Sequence, residues 1–386
     1  MHALTCPVCN ALSGFDRQTC PDCGTTVGVH LPSRSLYVVG EDGVEIDGPG
    51  AGSGASGPNK QRWVRCSLWD RTRCNWLTPA EVADDSIGLR GRCFPESLIR
   101  RQPDAEDTIA LEKLASASFD LRLLVYQLVD LGLPVEPFWR TDGGLAFDLL
   151  SSQTLGRPVM IGHAGGVVTI DLAETQDAYR ERLRVDLGEQ YRTMLGHFRH
   201  ETGHYFEHVL VETGPGADRY LDRCRNLFGD ERVSYADAIT RHYRFGAPEN
   251  WHESFISEYA TMHPWEDFAE CFAHYLHITG TIDTARESGL NLDAQQVRFT
   301  MERDIVPLRS YADEPIERLL YDWKWLSLML NRVNVAMGRR PLYPFTIPEP
   351  VVRKLGFVHE VIRESARRAV TTDPLVAAPA QEGVAP

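Results

Sequence analysis

His200-Glu201-Thr202-Gly203-His204 sits inside a run of helical apolar periodicity that extends from residue 174 to about residue 211. On a helix, residues four apart share a face, so the two imidazoles point the same way and can hold one metal ion. Glu201 is then placed to take a proton from a water on that metal. The stretch therefore predicts a zinc ion on His200 and His204 with one position open to water, the arrangement used in metal-assisted hydrolysis.

Two histidines do not complete a catalytic zinc site. No glycine follows His204 to turn the chain back, so the helix is expected to continue. His208 is then too far along it to close a tetrahedron. A carboxylate from a second helix is the alternative, and Glu266-Asp267-Phe268-Ala269-Glu270 offers one. Glu266 and Glu270 share a face at this spacing, and the small Ala269 lets that helix approach the first closely. Glu266 is expected to bind zinc and Glu270 to accept the ring N–H of a ligand histidine. The reverse assignment stays open, with Glu270 as ligand and Glu266 a carboxylate near the helix N-terminus. Asp230 or Glu231 is a weaker third ligand.

Tyr259, seven residues before Glu266, can donate to a developing oxyanion, although an aromatic between Ile256 and Met262 also reads as core. Of His197, His263, His274 and His277, His263 is expected to face the cleft and the others to be packed or hydrogen-bonded.

At the N-terminus, Cys6-Pro-Val-Cys9 and Cys20-Pro-Asp-Cys23 form two CxxC knuckles ten residues apart. Four thiolates suit tetrahedral zinc, and a filled coordination sphere leaves no place for water, so this second zinc is expected to be structural. A redox pair would need a strand–helix context that is lacking here.

The remaining composition bounds the function. The chain has 386 residues, enough for more than one domain. Its net charge of −14 argues against nucleic-acid binding. No apolar run reaches membrane-spanning length, and the first residues lack the layout of a signal peptide. Nine cysteines, four of them in knuckles, suggest metal ligation in a reducing compartment, hence a cytoplasmic location.

Residues 1–100 are expected to form a small cysteine-rich domain containing a flexible Gly/Ser/Pro loop near 40–60 (GEDGVEIDGPGAGSGASG). Helical spacing is expected over 104–131, then strands at 145–149, 159–161 and 167–170, the last two flanking a turn at 162–166. Further helices are expected at 231–243, 255–278 and 315–337, and a disordered Ala/Pro-rich tail over 371–386.

The HExGH pattern, with Tyr259 and Glu266-x-x-Ala269-Glu270 at their spacing, resembles the glutamate-type and lethal-factor-like zincins. More widely, the chain resembles a bacterial family of zinc-binding metallopeptidases with an N-terminal zinc ribbon. The residues that carry this are Tyr191-Arg-Thr-Met-Leu-Gly-His-Phe-Arg-His-Glu-Thr-Gly-His-Tyr205, Phe228-Gly-Asp-Glu231, His263-Pro-Trp-Glu-Asp-Phe-Ala-Glu-Cys-Phe-Ala-His-Tyr-Leu-His277 and Cys74-Asn-Trp-Leu77. The resemblance spans residues 1 to about 365. It implies an α+β fold in which a mainly helical zincin-like domain, 104–365, follows a zinc ribbon.

It also implies a peptidase, without naming its substrate. A peptide or protein substrate is expected, with the ribbon structural or substrate-recruiting and a place for a protein partner. The resemblance would supply a cysteine near Arg90 to join Cys66, Cys74 and Cys93, and this chain has none. Either Asp84 or Asp85 completes that second ribbon site or, the preferred reading, the site is lost. The competing function is a non-catalytic zinc-binding interaction module on the same scaffold.

Overall fold

The computed structural model describes residues 3–47, 60–81, 91–104, 106–176 and 193–368. These fall into two compact units, one within His2–Gln176 and one within Asp177–Arg368. Part of the loop expected at 40–60, the acidic candidates Asp84 and Asp85, part of the helix expected from residue 174, and the tail over 371–386 lie outside the described residues.

In the first unit, Leu4–Thr5 pairs antiparallel with Leu12–Ser13, and Val27–His30 with Ser35–Val38. Val44–Asp47 falls in the stretch read as a loop, but it is a strand. It pairs with Lys60–Arg65, which pairs in turn with Leu77–Pro79. The alternation Val44-Glu45-Ile46-Asp47, with Ile46 buried, is the period-two signal that the surrounding glycines obscured.

A four-stranded sheet runs in the order Gly162–Ala164, Val167–Asp171, Ala146–Leu150, Ile99–Arg101. The two inner strands are parallel, with Val168 opposite Phe147. The first is an antiparallel edge. Hydrogen bonding from Ile99–Arg101 to Ala146–Leu150 thus crosses the 100–104 boundary read from the sequence. The strand expected at 159–161 is displaced to Gly162–Ala164, because the reversal is a tight one at Gly165 and Gly166. Gly166 has φ +83°, and a Cβ there would sit 2.3 Å from the Gly143 carbonyl oxygen. Helix Thr108–Asp130 is capped by the Asp107 carboxylate, which accepts from the Ala110 N–H at 2.9 Å. It buries Leu114, Leu121, Leu124 and Leu128 completely.

The second unit is helical. Met194–Glu207 begins at Thr193, whose hydroxyl accepts from the Gly196 N–H, and passes directly into a π-helical turn, His208–Glu212. Pro264–Glu287 is its main partner, with Pro264 in the first turn where a missing N–H costs nothing. This helix starts later than the expected 255–278 because the preceding residues form 3₁₀ turns at Trp251–Glu253 and Tyr259–Thr261. The expected helices at 231–243 and 315–337 are Tyr235–Phe245 and Ile316–Ala336.

Two further helices, Ala217–Phe228 and Glu349–Arg368, were not anticipated. The first is dominated by charge, whereas the second buries Val351, Leu355, Val358 and Ile362 at helical spacing. The first buries only Tyr220, Cys224 and Phe228, a stripe too thin to stand out among its arginines and aspartates. The whole is a mixed α+β fold, predominantly helical in its later part, with a small β-rich, cysteine-rich segment at the N-terminus.

Candidate metal centres and active site

The helix carrying His200 and the helix carrying Glu266 cross where each has almost no side chain. A Cβ added to Gly203 would lie 2.9 Å from Ala269 Cα and 3.1 Å from its carbonyl oxygen. This contact brings Glu266 onto the histidine pair. Its Oε2 lies 2.9 Å from His200 Nε2 and 3.6 Å from His204 Nε2. One donor atom from each of the three lies within 4.8 Å of the others. Two ligand atoms on one tetrahedral zinc, each about 2.0–2.1 Å from it, are separated by about 3.3 Å, so the two measured distances bracket what the ion requires. The donor set, two imidazoles and one carboxylate, is also that of a catalytic zinc with a position left for water. His200, Glu201 and Glu266 are buried, and His204 is partly open.

Around these residues lies a shell of hydrogen bonds. Glu270 Oε1 is 2.8 Å from His200 Nδ1, and its other oxygen accepts from the Ser257 hydroxyl at 2.5 Å. Burial alone would raise the Glu270 carboxyl, but the His200 bond outweighs it and holds the group down to about 2. With Nδ1 of His200 on Glu270, the Nε2 side of the ring faces Glu266 Oε2. Glu266 is likewise held well below the carboxylate range despite its burial, by the neighbouring His204 and His200 rings. Its remaining oxygen, Oε1, accepts from the Tyr235 hydroxyl at 2.8 Å.

The Tyr259 ring centre is 5.8 Å from that of His200. Burial, then the negative charge of Glu266, pushes its phenol far above the ordinary value, so it remains a proton donor. His263 is buried and caps the glutamate helix: Nδ1 accepts from the Trp265 N–H at 3.1 Å and Nε2 donates to the Val233 carbonyl at 3.1 Å. Its ring packs 5.2 Å from that of Tyr235, whose hydroxyl bonds Glu266.

The other candidates lie elsewhere. His208 pairs with Glu212 at the surface, Glu231 with Arg225 and Asp230 with Arg232. His274 Nδ1 is bound to the Tyr343 hydroxyl, and His277 Nδ1 to Arg199. Sequence reasoning missed Tyr235 and Ser257. Neither stands in a motif, and only the fold brings them within reach of Glu266 and Glu270.

In the first unit, Cys6, Cys9, Cys20 and Cys23 converge, with Sγ–Sγ distances of 3.7 Å for Cys6–Cys23 and 3.6 Å for Cys9–Cys20. Thiolates on one zinc, each about 2.3 Å from it, are about 3.8 Å apart, so four sulfurs fit one ion. The two knuckles match locally. Asn10 and Gly24, each directly after the second cysteine of its pair, are left-handed at φ 59° and 71°. The Asn10 and Gly24 N–H groups donate back to the Cys6 and Cys20 carbonyls.

Cys66, Cys74 and Cys93 form a third, degenerate cluster. All three are buried, Cys74 and Cys93 sulfurs are 3.6 Å apart, and the Cys93 N–H donates to Cys66 Sγ. No fourth such ligand joins them among the described residues.

An HExxH helix, a glutamate from a second helix at metal-ligand distance and a four-cysteine ribbon cluster together define a zinc metallopeptidase of the HExxH-plus-glutamate type. The comparison with known families agrees. Residues 110–361 match the model described as "Putative zinc-binding metallo-peptidase", and the chain belongs to that family. It is also similar to Uncharacterized protein Rv2568c of Mycobacterium tuberculosis (strain ATCC 25618 / H37Rv) and to Uncharacterized protein Mb2598c of Mycobacterium bovis. Each is 38% identical over 372 residues, covering 95% of this chain and 96% of the relative. No solved structure matches the chain. Among the described residues, no helix is long and apolar enough to cross a membrane.

Proposed function

We propose that this protein cleaves peptide bonds in a peptide or protein substrate, with Glu201 as general base and Tyr259 as donor to the developing oxyanion. The observation that supports this best is the convergence of His200, His204 and Glu266, with Glu201 buried on the same helix. Zinc held there supplies Lewis acidity and brings the pKa of water toward about 7. Glu201 receives the proton and passes it to the leaving amine. Tyr259 stays protonated through the physiological range and can place its hydroxyl on the oxyanion. Glu270 holds the His200 ring in the tautomer that leaves Nε2 free.

The cysteine-rich first hundred residues contribute structure, through zinc on Cys6, Cys9, Cys20 and Cys23, and recruit substrate or a protein partner. Cysteines grouped for metal rather than joined in disulfides support a reducing, cytoplasmic setting. The test is to incubate an unstructured protein substrate with wild type and with Glu201→Ala and to read cleavage by mass spectrometry. The variant is expected to keep its zinc and lose at least about a hundredfold in rate. Equal cleavage by the two would refute the assignment.

A further inference from the structure

Glu266 has two chemically equivalent oxygens, and nothing in the HExxH or ExxAE spacing says which one faces the metal. Oε2 faces the histidines, at 2.9 and 3.6 Å, while Oε1 accepts from Tyr235. We propose that Tyr235 is a positioning residue: its hydroxyl engages one oxygen of Glu266, fixes the carboxylate as a one-oxygen ligand and so keeps a position at the metal open for water. The inference rests on the peptidase reading above and adds a residue to it.

Three observations carry it. Tyr235 opens the helix Tyr235–Phe245, and the Ser234 side chain caps that helix by accepting from the Asp237 N–H at 3.2 Å, so the tyrosine sits on a defined first turn. That turn is also tied to the glutamate helix. The buried His263 donates to the carbonyl of Val233, two residues before Tyr235, and accepts from the N–H of Trp265, one residue before Glu266. The rings of Tyr235, His263 and Trp265 pack against one another, with centres 5.2 Å apart for Tyr235–His263, 6.0 Å for Tyr235–Trp265 and 4.9 Å for His263–Trp265. One imidazole thus sets donor and acceptor in register, which gives His263 an effect on the site through Tyr235.

The test is Tyr235→Phe in the full chain, which removes one oxygen and leaves the packed ring. Two readouts do not depend on turnover. Zinc affinity of the histidine site, measured by chelator competition and referenced to His204→Ala, is expected to fall roughly tenfold to a hundredfold, the usual effect of losing a partner of a metal ligand. With cobalt in that site, the visible spectrum, taken as a difference from His204→Ala, is expected to shift and weaken as the second oxygen of Glu266 joins the metal. Affinity within twofold of wild type and a superimposable cobalt spectrum would overturn the role of Tyr235 while leaving the peptidase reading intact. Wild-type protein that binds no more metal than His204→Ala would overturn both. Should Tyr235→Phe melt earlier than wild type without metal, the cobalt spectrum of the folded variant still decides.

Discussion

Replacing Gly203 by alanine adds one methyl group where the two helices of the site touch. The new Cβ would lie 2.9 Å from Ala269 Cα, 3.1 Å from its carbonyl oxygen and 3.3 Å from its Cβ. Carbon atoms rest about 3.5–4.0 Å apart, and two of these neighbours are backbone, so no rotamer change relieves the overlap. The helices must part by roughly 0.6–1 Å. Overpacking of this kind costs about 1–3 kcal/mol, and the better helix propensity of alanine returns about 1 kcal/mol, leaving a net loss of about 0–2 kcal/mol. The metal site is more sensitive than the fold. Glu266 is one turn before Ala269, and ligand distances tolerate only about 0.2 Å. Zinc affinity at the histidine site is therefore expected to fall at least about tenfold, or about 1.4 kcal/mol, in a chelator competition assay. Urea denaturation should show the smaller loss in stability. A Gly203→Ala protein with wild-type affinity and an unchanged urea midpoint would refute the claim that the helix crossing sets the ligand geometry.

Other predictions follow from the same packing. Lys354 donates to the buried Asp267 carboxylate at 2.6 Å and to the Ser254 carbonyl, so Lys354→Ala should lower stability by about 3–5 kcal/mol in chemical denaturation, and adding Asp267→Asn should recover part of it. Glu207 is buried, and burial followed by the charges of Glu212 and Glu231 raises its carboxyl well above the ordinary range. The native state then holds a proton that the unfolded chain releases above about pH 4.3, so this contribution is complete below that pH and declines by at most about 1.4 kcal/mol per pH unit above it. Glu207→Gln should therefore flatten the fall in stability between pH 5 and pH 8, and an identical slope in the two proteins would contradict the burial argument. Cys9→Ser should remove the ribbon zinc, read by metal analysis, and leave the histidine-site zinc in place.

The site was more legible in the sequence than the fold around it. HExxH and ExxAE are spacing rules on single helices, and helix geometry converts them directly into a shared face; even the close crossing was implied by Ala269. Tyr235 and Ser257 reach Glu266 and Glu270 from separate segments, so no spacing announces them. His263 caps its own helix through the Trp265 N–H, but its bond to Val233, thirty residues earlier, is a tertiary contact that no spacing announces. In the fold, strongly apolar helices such as Thr108–Asp130 were visible. Ala217–Phe228 was not, because its apolar stripe is thin and its polar face is held by long-range ion pairs such as Arg223–Glu360, whereas Glu349–Arg368 carries a helical apolar stripe, Val351, Leu355, Val358 and Ile362, that was overlooked. The strand Val44–Asp47 was masked by its glycine-rich surroundings, since register with Lys60–Arg65 is a tertiary property.

The most direct test is the zinc content of the purified full chain beside that of His204→Ala. The account predicts one equivalent fewer in the variant, with the ribbon zinc retained in both. Equal zinc content in the two proteins would contradict a metal centre at His200, His204 and Glu266.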